Sequence, residues 1–245
     1  SLSFLKLNPK ADLKNVGVIG CAVGTGYGSA VNIARVHPGS KCAVWGMGAV
    51  GLSAILGCKQ AGAETIIGVD INPDKESIAK QFGCTRFINP KNIDESLETL
   101  LQSEGGIDYA FDCIGNQHVL NTAYNSLKPW GSLTVIGLGS KGSKIDVKVA
   151  ELVKGRYVLG GFFGNYKPRK GNQELVEKYL NGSLPIDGLI THRILIIFNS
   201  LKSKVIEVMI FPAIYQIVFS VAPVPHPKGR HIIGLIVKPN QTNSR

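Results

Sequence analysis

Short apolar runs alternate with longer periodic segments along most of this chain. Residues 24–36 (GTGYGSAVNIARV) read as a helix closed by HPGS. KCAVW (41–45) is an apolar run ending at glycine, and GAVGLSAILGCKQAG is a small-residue helix stopped by Gly62. TIIGVD (65–70) reads as a strand. NPDKESIAKQFG predicts a helix with Asn72 as its cap and Pro73 in the first turn. TRFIN is a strand, DESLETLLQSEGG a helix, and IDYAFDCIG (107–115) a strand. NQHVLNTAYNSLKPWG reads as a helix ending at Pro129, followed by the strand SLTVIGLG. After a polar loop come the strand GRYVLGGFF (155–163) and the helix NQELVEKYLNG.

The strands do not alternate strictly between apolar and polar residues. Parallel strands covered by helices on both faces are apolar throughout, so the pattern predicts that arrangement. The expected class is α/β: a doubly wound parallel six-stranded sheet, its strands beginning near 41, 65, 85, 107, 132 and 156. No internal repeat or low-complexity tract interrupts it.

After Ile194 the pattern dissolves into β-branched runs with four prolines between 212 and 227. The most apolar window, residues 208–224, contains Pro212, Gln216 and Ser220 and has the minimum length of a membrane span. The reading expects a poorly packed or edge-strand tail rather than a span. The chain opens on Ser1, its only methionines are Met47 and Met209, and SLSFLKLNPK has no signal-peptide pattern. It is expected to be a processed product or a fragment.

The net charge of +10 raises the question of nucleic acid or an acidic membrane. Half the excess lies in residues 195–245, where six Lys and Arg face one acid, with no dense run. That distribution argues against a nucleic-acid partner. Five cysteines (Cys21, Cys42, Cys58, Cys84 and Cys113) form no Cys-x-x-Cys pair. An odd number in apolar or glycine-rich contexts fits reduced thiols and a cytoplasmic location better than a disulfide framework.

Two stretches carry chemistry. CAVGTGYG places Cys21 ahead of a glycine-rich turn, where it is a buried thiol, a nucleophile or a metal ligand. WGMGAVG supplies Gly46-x-Gly48-x-x-Gly51, with Met47, Ala49 and Val50 between, behind a strand and at the opening of a helix. Gly46 permits the tight turn, Gly48 lets a pyrophosphate approach the helix N-terminus, and Gly51 allows close helix–strand packing. Asp70 ends the next strand, 19 residues past Gly51. A carboxylate there accepts both adenosine-ribose hydroxyls and repels a 2′-phosphate, which favours NAD over NADP. Lys75 is within reach of the same ribose. This is the Rossmann arrangement.

These stretches, with IIGVDINPDK, FDCIGN, VIGLG and LITH, resemble the zinc-containing medium-chain alcohol dehydrogenases over residues 12–193. FDCIGN and GTGYG lean towards the glutathione-dependent formaldehyde dehydrogenase (class III) branch. The resemblance implies that Cys21 is one of three protein ligands of a catalytic zinc and that Thr25 stands beside the nicotinamide. It implies that Asp70 and Lys75 contact the adenosine ribose, and that Cys113 and Ile114 form the wall beside it. Ile136, Gly137, Leu138, Gly161 and Phe163 are the implied nicotinamide-side positions. Zinc held by two thiolates and an imidazole keeps one position open, where an alcohol loses its proton before hydride passes to NAD.

Departures from the family are equally clear. Its N-terminal catalytic domain carries the second zinc cysteine, the zinc histidine, a proton-relay hydroxyl and a four-cysteine structural zinc loop. None has a counterpart in this sequence, and His37, His118, His192, His226 and His231 match no ligand position. The expected organisation is a catalytic-domain remnant and connecting helix (1–36), an NAD-binding domain (37–164), a partial return to the catalytic domain (165–194) and an atypical tail (195–245). The implied function is oxidation of a primary alcohol or S-hydroxymethylglutathione, in a family whose intact members are homodimers. The competing readings are an NAD-binding module without turnover and a membrane-associated protein using its tail.

Overall fold

The computed structural model describes residues 5–198, 204–211 and 214–221. It divides into two compact units: Cys21–Gly171, and a second drawn from the segments before and after it. In chain order the elements are α1 (Leu13–Val16), α2 (Ala22–Gly28), β1 (Lys41–Trp45), α3 (Ala49–Gln60), β2 (Thr65–Val69), α4 (Lys75–Phe82), β3 (Arg86–Ile88) and α5 (Leu97–Ser103). There follow β4 (Ile107–Asp112), α6 (Gln117–Asn125), β5 (Leu127–Val135), α7 (Val149–Val153), β6 (Tyr157–Gly160), α8 (Pro168–Leu180) and the strands β7 (His192–Phe198), β8 (Lys204–Phe211) and β9 (Ile214–Val221).

In the first unit six parallel strands stand in the order β3-β2-β1-β4-β5-β6. The chain moves outward from β1 to β3, then crosses back to β4. The crevice at the carboxyl ends of β1 and β4 is therefore the switch point at which open α/β sheets bind ligands. The strands are apolar because both faces are covered: Cys42, Ala43, Val44 and Trp45 of β1 are all buried, as are Ile66 to Val69 of β2. Ala43, Trp45, Ile67, Leu101, Tyr124 and Leu133 belong to one continuous core.

Helix α2 lies unusually close to α3. A Cβ on Gly26 would stand 2.0 Å from the Val50 carbonyl oxygen, and one on Gly57 2.8 Å from that of Tyr27. Glycine at both positions lets two backbones touch. The sequence places this helix at 24–36. It begins two residues earlier, and after Gly28 it widens into π-type turns over Ser29–Ala34, ending at Arg35 in the left-handed region (φ 52°).

Strand β5 also begins earlier than the pattern predicts. Helix α6 stops at Asn125, and Leu127 already pairs with Ile107. The register then shifts, so that Tyr109 pairs with Ser132, and Trp130 takes φ 64° within the irregularity. The Gln102 amide bridges the Asn125 and Leu127 carbonyls, fixing the helix–strand junction. Helix α7 falls where the sequence suggests a polar loop. Its Val149 and Val153 are exposed, so no buried stripe marks it.

In the second unit polar contacts link α1 to α8 and α8 to the turn that follows it. Asn15 donates to the Tyr179 hydroxyl at 3.0 Å, which donates to Asp187 at 2.8 Å. Strands β7, β8 and β9 form an antiparallel sheet, with Ile194 opposite Val208 and Val208 opposite Phe219. Strand β7 thus runs through Ile194, where the sequence loses its period; the β-branched runs there are strand material. Residues 208–224 fall mainly on β8 and β9. Among the described residues no single helix is long and apolar enough to cross a membrane. Residues 222–245, with His226 and His231, lie outside the described residues.

Candidate functional site

The site begins where β1 ends. Gly46 takes φ 94° and its N–H donates to the Val69 carbonyl at 2.8 Å, so the chain turns sharply while tied to β2. Gly48 is extended and caps α3 with no side-chain partner. The first-turn N–H groups of Ala49, Val50 and Gly51 have no acceptor within the helix. A Cβ on Gly51 would stand 1.8 Å from the Gly46 carbonyl oxygen, so only glycine lets the helix start press against the turn. A bare helix N-terminus behind a side-chain-free turn is a place for a diphosphate.

Asp70, just past β2, points back at this turn. Its Oδ2 accepts the Met47 N–H at 2.7 Å and its Oδ1 accepts the Asn72 N–H at 2.9 Å. A carboxylate has lone pairs beyond these two bonds, so diol hydroxyls can still be received. Lys75 is half-buried at the first position of α4; its backbone N–H donates to the Asn72 carbonyl.

Across the switch point, β4 ends in Asp112, which is fully buried. Cys113 is half-buried, and Ile114 is exposed with its Cγ1 2.8 Å from where a Gly46 Cβ would be. Burial pushes the Cys113 thiol up, and the Asp112 charge adds to that, so it stays a neutral lining group. Ile136 and Gly137 follow β5. A Gly137 Cβ would lie 2.2 Å from the Gly115 nitrogen, so the turns after β4 and β5 touch through backbone. Gly161 donates to Val135 at 2.7 Å, and its Cβ position meets Ile136 at 2.7 Å and the Ser29 hydroxyl at 3.0 Å. That hydroxyl donates to the Thr25 carbonyl at 2.7 Å.

Thus one chain of contacts runs from Asp70 through residues 46–51, Ile114, Gly137, Ile136 and Gly161 to α2 and Thr25. Leu138 is almost wholly exposed at the rim, and Phe163 (φ 46°) is half-buried in the turn Phe163–Asn165. Lys75 reaches that chain through Asn72, Leu138 through its backbone against Gly115, and the turn holding Phe163 through Gly164 against Gly28 of α2. Sequence reasoning missed Asp112, Gly115 and Ser29. The spacing Asp-x-x-Gly at a strand end was the available signal for the first two.

Cys21 is half-buried at the start of α2, and its carbonyl accepts the Thr25 N–H. Among the described residues no three His, Cys, Asp or Glu side chains gather as a metal site requires. His37 packs against the Tyr109 ring, His118 is exposed in the first turn of α6, and Cys42, Cys58 and Cys84 are buried. The donor set of the described residues does not fit a zinc ion.

The parallel six-stranded sheet with helices on both faces is a Rossmann-like fold. Residues 49–180 match the family described as zinc-binding dehydrogenase. Over 198 residues the chain is 46% identical to alcohol dehydrogenase class-3 of Drosophila melanogaster, covering 79% of this chain and 52% of that protein. Over 189 residues it is 41% identical to geraniol dehydrogenase of Carpoglyphus lactis, covering 77% and 50%. The benzyl alcohol dehydrogenase structure from Acinetobacter calcoaceticus superposes with a TM-score of 0.72 at 34% identity, covering 76% of this chain and 52% of that one. A zinc-binding alcohol dehydrogenase domain protein from Burkholderia ambifaria gives 0.71 at 34%, covering 76% and 51%. The chain belongs to the zinc-binding dehydrogenase family, whose relatives named here are oxidoreductases. It spans about half the length of the curated relatives it matches.

Proposed function

We propose that this chain is the NAD-binding portion of a zinc-dependent alcohol dehydrogenase. The observation that carries the reading is Asp70 hydrogen-bonded to the glycine turn it would serve. Residues 46–51 and the α3 N-terminus hold the diphosphate, and Asp70 with Lys75 holds the adenosine ribose. Cys113 and Ile114 line the wall beside that ribose. Thr25, Ile136, Gly137, Leu138, Gly161 and Phe163 border the nicotinamide. The bound dinucleotide supplies the hydride acceptor. In this reading residues 37–164 form the dinucleotide domain, residues 1–36 and 165–194 belong to a catalytic domain, and residues 195–245 are a tail.

The substrate of the whole enzyme is a small alcohol or a glutathione adduct; the class-3 and geraniol dehydrogenase relatives support that range. The homodimer is supported by β6, which is an edge strand among the described residues, with Tyr157 and Val158 exposed. A binding module without turnover is the second reading, favoured by the donor set around Cys21.

Trp45 ends β1 directly before Gly46 and is buried, so its fluorescence reports on the turn. Titration with NAD is expected to quench it saturably; no response together with no calorimetric signal would overturn the proposal. A further expectation concerns the metal. Affinity for zinc comes from several ligands fixed together, and Cys21 is one of three implied. The purified chain should carry well under one zinc per molecule and form no NADH from alcohols. One zinc per chain that disappears in Cys21→Ser, with turnover above background, would contradict this.

A further inference from the structure

We propose that Asp112 is a positioning residue that holds the turn after β5 against the turn after β4 and thereby sets the affinity for the nicotinamide half of the dinucleotide. The inference rests on the dinucleotide reading above. Its basis is how many backbone donors one residue gathers. Asp112 Oδ1 accepts the N–H groups of Ile114 and Gly115, both at 3.1 Å, and Oδ2 accepts Gly115 again at 3.0 Å. Its carbonyl oxygen accepts the N–H groups of Ile136 and Gly137, both at 2.9 Å. One buried residue therefore fastens the turn after β4 with its side chain and the turn after β5 with its backbone.

The two turns have no slack between them. Gly115 needs φ 80°, and its nitrogen lies 2.2 Å from where a Gly137 Cβ would stand. Ile114 in turn abuts Gly46. A shift of residues 113–115 is transmitted to residues 136–138 on one side and to the glycine turn on the other. A buried carboxylate is costly, and burial raises this one's proton affinity. The opposing pull towards the charged form comes from the Gly115 and Ile114 N–H groups.

Asp112→Asn keeps the shape and one acceptor oxygen. It places an amide NH₂ where Oδ2 receives the Gly115 N–H, so donor faces donor. The turn must move away. AMP carries the adenine, its ribose and one phosphate; it meets the turn after β4 at Cys113 and Ile114 and nothing of the turn after β5. The substitution should weaken NAD about tenfold and AMP by no more than about threefold. Gly137→Ala drives the same turns apart from the other side and should give the same split.

The experiment is calorimetric titration of the wild-type chain and both variants with NAD and with AMP. A loss several-fold larger for NAD than for AMP in either variant supports the proposal, and if Asp112→Asn does not fold, Gly137→Ala decides. NAD affinity unchanged, or NAD and AMP lost in parallel, overturns it. A wild-type chain that binds neither nucleotide overturns the dinucleotide reading itself, which is distinguishable from failure of the Asp112 proposal alone.

Discussion

Gly51→Ala should abolish dinucleotide binding and lower the melting temperature by about 6–12 °C, the drop that about 3 kcal/mol produces in a chain of this size. The added methyl would lie 1.8 Å from the Gly46 carbonyl oxygen, a backbone atom that no side-chain rotation can move aside. Either α3 retreats from the turn or the turn opens, and both destroy the place where a diphosphate meets the helix N-terminus. Gly160→Ala is the control. Nothing lies within 4 Å of a Cβ there, so the same chemical change should leave melting and binding within error. Equal melting temperatures for the two variants would show that the turn is looser than the structure has it.

Asp70→Gly should weaken NAD by about 10–100-fold and leave NADP nearly unchanged, so the gap between them narrows. Hydrogen bonds to a charged group contribute about 1.5–3 kcal/mol each way of counting, which is that range of affinity. Two effects combine. The ribose diol loses its acceptor, and Met47 and Asn72 lose theirs. NADP suffers the second loss but gains relief from repulsion between the carboxylate and its 2′-phosphate. Asp70→Asn separates the effects, because an amide retains one acceptor oxygen while dropping the charge. It should recover part of the NAD affinity while still tolerating NADP. An Asp70→Gly variant that binds NAD as the wild type does would remove Asp70 from the site.

The dinucleotide turn was legible because its spacing is dictated by geometry. A turn, a phosphate approach and a helix contact each demand glycine, at intervals that the strand and helix fix. The alternation of elements was legible for a similar reason: strands covered on both faces are apolar throughout. Strand β5 was less so. Pro129 reads as a helix stop, yet the helix had already ended at Asn125, and the pairing of Leu127 with Ile107 is a tertiary choice that no local pattern signals. Asp112 was hidden for another reason. In the sequence it is one acid at a strand end; only the fold reveals that its carbonyl reaches a turn 24 residues on. The antiparallel pairing of β7, β8 and β9 is likewise a tertiary choice that no local period signals.

In the function proposed for this chain, residues 46–51 and Asp70 form an NAD site that discriminates against NADP. Parallel titration of the unmodified chain with NAD and NADP, followed by Trp45 fluorescence, tests it most directly. NAD should bind at least about tenfold more tightly, the consequence of one carboxylate meeting a diol in one case and a phosphate in the other. Equal affinities, or tighter binding of NADP, would contradict it.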